Sequence, residues 1–190
     1  MTPDLFLALA GFALATVITP GPNNLMLMAS GANFGLRRSV PHMAGIGLGF
    51  PAMVALVGLG VMQLFQLWPP ARTVLTVASF AFVLWLAWKI ANAAPPAEAR
   101  ADARPLTFLQ AAAFQWVNPK AWSMALGAIT LYAPGRDLPA VLWVAGTYVA
   151  VSVVSTSAWT LLGTTTGRLL GDGARLRWFN RAMAVLLVAT

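Results

Sequence analysis

The sequence predicts an all-α, polytopic membrane protein, and three observations carry that reading. Of 190 residues, 59% are hydrophobic and only 9% are charged, where a soluble domain carries about 25% charged residues. The apolar runs approach or exceed the ~20 residues that a helix needs to cross a bilayer core. They do not alternate polar and apolar residues, as the strands of a membrane barrel, the only other spanning architecture, must.

Six spans follow along the chain. The first covers residues 5–32 and contains the interruption Thr19-Pro-Gly-Pro-Asn-Asn-Leu25. The second covers 40–67 and is closed by Trp68-Pro69-Pro70; the third covers 74–90. A polar stretch rich in alanine, proline and charge follows. The fourth span covers 108–132, the fifth 139–163 and the sixth 174–190. The sixth is short and carries Arg175, Arg177 and Arg181 early, so either it is partly inserted or the chain is truncated there. No connection is long enough for a soluble domain, so residues 1–190 read as a single transmembrane domain. Its first repeat is 1–91, its cytoplasmic linker 92–106 and its second repeat 107–190. Residues 1–20 lack the basic region that opens a cleaved signal peptide; the first charge is Asp4.

The formal charge of +7 raises the question of nucleic acid. Its distribution argues against that partner and for a bilayer. Arg37, Arg38, Lys89, Arg100, Arg104, Arg168, Arg175 and Arg177 fall in the connections after spans one, three and five, against Arg72 and Arg136 after spans two and four. Basic residues mark the cytoplasmic side, so both termini are expected outside. Three spans then lie on either side of the linker and enter the membrane in opposite senses, which is the arrangement of an inverted repeat. The absence of cysteine excludes disulfides and thiolate chemistry. One histidine and five acids leave little for a metal cluster, and no cofactor is expected.

Spans one and four are broken near their centres. Proline removes a backbone donor and clashes with the preceding turn. In hydrocarbon such irregular backbone survives only when buried in protein or lining a cavity. Pro20-Gly21-Pro22 predicts a short unwound stretch, with Pro22 opening a half-helix that runs through Asn23 and Asn24. Asn118-Pro119-Lys120 predicts the same, with asparagine as N-cap and proline at the first helical position. The two half-helix N-termini present N–H groups and a partial positive charge, and Lys120 adds a full one. An intramembrane lysine is a functional-site candidate. This set suits a carboxylate. The carbonyls freed upstream of each break, with the side-chain oxygens of Asn23, Asn24 and Asn118, suit an ammonium. The predicted ligand is therefore an α-amino acid, held by Pro20, Gly21, Pro22, Asn23, Asn24, Asn118, Pro119 and Lys120. All five acids, Asp4, Glu98, Asp102, Asp137 and Asp172, lie in flanks or connections. With no buried anion for a basic side chain, a neutral amino acid is favoured.

The stretch Thr19–Leu25, with Gly35-Leu-Arg-Arg38, Gly45-Ile-Gly-Leu-Gly49, Trp85-Leu-Ala-Trp-Lys89 and Asn118-Pro-Lys120, resembles the LysE/RhtB family of bacterial amino-acid exporters across nearly the whole chain. The nearest branch contains the cysteine and O-acetylserine exporter. The resemblance implies proton-driven efflux from the cytoplasm across the bacterial inner membrane, by a secondary transporter rather than an enzyme. Many members carry aspartate where Asn23 stands, and members usually continue past Thr190. Oligomeric state, a homo-oligomer included, is left open.

Other features have plainer readings. Gly45, Gly47, Gly49, Gly58 and Gly60 give span two a small-residue face for close helix packing. Ser152, Ser155, Thr156, Ser157 and Thr160 make span five partly polar, most simply through bonds to their own helix or a neighbour. Trp68, Trp85, Trp88, Trp143 and Trp178 read as interfacial anchors. Arg37, Arg38 and His42 read as cytoplasmic flank charges. Two competing functions remain: a passive channel, which would need a continuous polar path, and an intramembrane serine protease using Ser30 and His42. In the latter both groups are expected on an exposed hairpin, out of a sheltered site.

Overall fold

Proline opens most of the helices. In the computed structural model, which describes residues 2–61, 63, 67–93, 104–171 and 173–189, α1 is Pro3–Ile18, α2 Pro22–Gly58, α3 Pro70–Ala91, α4 Phe108–Val117, α5 Pro119–Tyr132, α6 Leu138–Leu170 and α7 Gly173–Ala189. Four of these begin on proline and α6 carries Pro139 in its first turn, where the missing N–H would have had no helical partner. Side chains cap α4 and α6: Thr107 forms a capping box with Gln110 at the start of α4, and Asp137 accepts from Ala140 N at 3.0 Å at the start of α6. Among the described residues there is no strand.

Among the described residues, three helices are long and apolar enough to cross a membrane: α2, Thr73–Ala91 of α3, and α6. As separate helices α1, α4 and α5, of 16, 10 and 14 residues, stop short of the ~20 a bilayer core requires. They stop at the proline breaks the sequence predicts. Thr19 is extended (φ −60°, ψ 138°) ahead of Pro20, as the residue before a proline prefers.

α2 contains a second break that the sequence reading placed between spans. Gly35 has φ 75° and ψ 171°, a region open essentially to glycine alone. The contacts on either side show that the chain reverses there. Before Gly35, the close approaches pair Met28 with Gly163 and Ala32 with Gly167, so this limb runs parallel to α6. After it, Phe50 meets Tyr148 edge to face and Gly58 meets Val141, so the second limb runs antiparallel to α6. A Cβ at Gly35 would meet nothing within 4 Å. Gly35→Ala is therefore expected to cost about 1–3 kcal/mol from backbone strain alone. A thermal melt of the detergent-purified variant checks this, and an unchanged midpoint would mean the reversal tolerates a side chain.

α1 and α5 cross antiparallel. Tyr132 Oη donates to Ala8 O at 3.2 Å, Gly127 lies by Phe12, and Lys120 reaches Thr19. The two breaks therefore meet at one level. One core cluster fills the space between α1, the second limb of α2, α5 and α6, with Leu9, Met53, Val54, Met124, Val141 and Tyr148 at its centre. A second joins α2, α3, α4 and α7 through Leu27, Leu86, Phe114 and Leu187. Gly45 and Gly49 pack against Phe108, Ala111 and Ala112 of α4, as their spacing predicts, and Gly58 packs against α6. Gly47 has ordinary room, and Gly60 instead supplies a turn at φ 101°.

Candidate functional site

The break after α1 leaves carbonyls without helical donors. Each finds a side chain. Val17 O accepts from Asn24 Nδ2 and from Ser155 Oγ, both at 2.8 Å; Ile18 O accepts from Trp159 Nε1 at 3.1 Å. Thr19 O accepts from Asn24 Nδ2 at 2.8 Å and from Lys120 Nζ at 2.6 Å, and Pro20 O from Lys120 Nζ at 3.1 Å. Unpaired, each such group would cost several kcal/mol in a dry interior. The second break is built as predicted. Asn118 is extended and its Oδ1 accepts from Lys120 N at 3.0 Å, with Pro119 opening α5. Trp122 Nε1 donates to Trp116 O at 2.8 Å just upstream.

A reciprocal amide pair ties the two segments together. Asn23 Nδ2 donates to Gln115 Oε1 at 2.8 Å, and Gln115 Nε2 donates back to Asn23 Oδ1 at 3.1 Å. Gly21, Asn23, Asn24, Asn118 and Lys120 line a cavity of about 30 Å³, enough for about one water molecule. Pro22 is buried beside it, while Pro20 and Pro119 are exposed on their outer sides. Ser152, Ser155 and Thr156 of α6 complete its wall.

Two details differ from the sequence reading. Asn24 meets the freed carbonyls with its nitrogen, the oxygens of Asn118 and Asn23 each already accept one hydrogen bond, and the cation present is met by backbone carbonyls. Lys120 itself sits on two of them, where the sequence reading assigned its charge to an anion.

The Ser30–His42 pair requires a correction. Ser30 is 6% exposed and His42 1% exposed, and Ser30 Oγ lies 3.0 Å from His42 Nδ1. They are sheltered and in hydrogen-bond contact because the reversal at Gly35 folds the start of the second limb back against the end of the first. His42 is accordingly no flank charge.

Residues 14–190 match the family described as LysE type translocator. The chain belongs to the LysE family. LysE translocators are transporters, so the Ser30–His42 contact is not the dyad of a protease and the chain is not an enzyme. The chain is 34% identical over 191 residues to proteins named cysteine/O-acetylserine efflux protein from Escherichia coli (strain K12) and Shigella sonnei (strain Ss046), covering 99% of this chain and 96% of each relative. The same name and identity recur in Shigella flexneri. No solved structure matches. Within this LysE chain, sequence reasoning missed Gln115 and the buried reciprocal pair Asn33–Asn180, at 2.7 and 2.9 Å, which fastens α7 to α2. An amide inside an apolar run was the available signal at Gln115 and Asn33, whereas Asn180, between Arg177 and Arg181, offered none.

Proposed function

We propose that the chain is a secondary exporter of small neutral amino acids or their derivatives, moving them out of the bacterial cytoplasm across the inner membrane at the expense of the proton gradient. The observation that carries the reading is the antiparallel meeting of two broken segments, with the Lys120 ammonium on the Thr19 and Pro20 carbonyls. A cradle that holds one ammonium has the chemistry to hold another, and the half-helix N-termini beside it suit a carboxylate. The proposed binding residues are Pro20, Gly21, Pro22, Asn23, Asn24, Asn118, Pro119 and Lys120. A cavity of about 30 Å³ is too small for an amino acid, so the conformation is closed. Substrate would displace Lys120 as the halves rock apart.

In this reading α1 and the first limb of α2 form one broken span, and α4 with α5 another. The second limb of α2, α3, α6 and α7 supply the remaining four, in two inverted repeats (1–91 and 107–190) joined by a cytoplasmic linker, with both termini outside. The described residues put no carboxylate in the cradle wall, which supports neutral cargo, and the relatives' name supports cysteine and O-acetylserine as first candidates. Overexpression is expected to raise tolerance to at least one member of an amino-acid and analogue panel relative to empty vector, with release of that compound to the medium. Trans-stimulated counterflow in vesicles then separates a carrier from a passive channel. A panel with no member affected would sink the proposal.

A further inference from the structure

A cavity of about 870 Å³, separate from the cradle, lies between the first limb of α2, the end of α3 and residues 104–106. Its size falls in the range of small-molecule sites. Arg38, Lys89 and Arg104 line it, and no carboxylate among the described residues does. His42 also lines it. Its Nδ1 is taken by Ser30, and its Nε2 is the one buried side-chain polar atom without a partner among the described residues. Buried polar groups are normally satisfied, and an exception calls for a ligand or water. In the ring tautomer in which Ser30 Oγ donates to Nδ1, Nε2 carries the ring proton and offers it to an acceptor. Two cations, Lys89 and Arg104, and one orphaned donor around a concave space form a site for an oxyanion, and the planar Arg104 guanidinium matches a carboxylate in geometry.

We infer that this cavity binds the carboxylate of the amino acid before it reaches the broken segments. The inference rests on the export reading for the direction of travel, because Lys89 and Arg104, which line the cavity, belong to the connections assigned to the cytoplasm. Asn24 and Ser30 are on one limb of α2, six residues apart, so the two sites are within about 9 Å along the helix axis.

The test is calorimetric titration of the full chain in detergent on a Lys120→Met background, which isolates this cavity from the cradle. O-acetylserine is expected to bind and its methyl ester to bind at least about tenfold more weakly, the scale of losing a hydrogen bond to a charged group. Arg104→Gln and His42→Phe should each weaken O-acetylserine to a similar degree. Arg104 is exposed at the cavity rim, so its variant keeps the test valid if the His42 variant fails to fold. Equal binding of acid and ester, or indifference to Arg104→Gln, overturns the inference. Sulfate or acetate binding as tightly as O-acetylserine overturns the amino-acid assignment in favour of a free inorganic or simple organic anion. Failure of wild-type cells to export any amino acid would defeat the export reading alone, since the titration still decides the cavity.

Discussion

Gly163→Val is expected to lower the thermal midpoint by about 6–12 °C, while Gly146→Ala on the same helix leaves it unchanged. A Cβ at Gly163 would fall on the Met28 carbonyl, one at Gly31 on the Thr160 carbonyl, and one at Gly167 against Ala32. All three neighbours are backbone atoms, so no rotamer change relieves the clash. The first limb of α2 and α6 must separate instead. The expected cost is about 3 kcal/mol, the upper end for overpacking, or roughly a hundredfold in the folded-to-unfolded ratio. At Gly146 an added Cβ meets nothing within 4 Å, and alanine is the better helix former. Size-exclusion profiles and thermal midpoints of detergent-purified variants decide the matter. A Gly163→Val protein as monodisperse and heat-resistant as wild type would show that the two backbones are not in contact.

The breaks in the chain were legible because proline, glycine and asparagine act locally. Pro22 and Pro119 open helices, and Asn118 caps one, for reasons contained within three or four residues. The spacing of Gly45 and Gly49 likewise announced a packing face, since a residue four places on returns to the same side of a helix. What the sequence withheld depends on partners far along the chain. Gly31 and Gly163 make the tightest approaches, yet nothing local says that the first limb of α2 and α6 meet there. Asn24 carries a donor and an acceptor, and only the crowd of freed carbonyls around it selects the donor. His42 follows Arg37 and Arg38 and looks like a surface charge until the reversal at Gly35 turns it inward. Gln115 gains its meaning only from Asn23, 92 positions away. Local rules thus located the candidate cradle, and non-local packing decided which of its atoms are free.

Lys120→Met is expected to lower transport by about 10–100-fold, the effect of deleting hydrogen bonds to a charged group, with a smaller loss of stability. Methionine keeps the length and apolar stem of the side chain but leaves the Pro20 carbonyl with no donor and the Thr19 carbonyl with Asn24 alone. A purely structural cross-link would show its loss in the thermal midpoint and spare the rate per folded molecule, so both are measured on the same reconstituted sample. Gly21→Ala supplies an independent push on the same contact. Its Cβ would sit 2.8 Å from Lys120 Cδ and 3.0 Å from Nζ. The lysine is flexible and can yield, so the variant should fold normally while its ammonium is displaced from the two carbonyls. Transport is then expected to fall in the same direction as for Lys120→Met, and the double variant should be no worse than Lys120→Met alone, because both changes act through one contact. Additive losses, or a Lys120→Met protein that transports at the wild-type rate, would separate the cradle from the transport path and leave the meeting of the two breaks as a structural joint only.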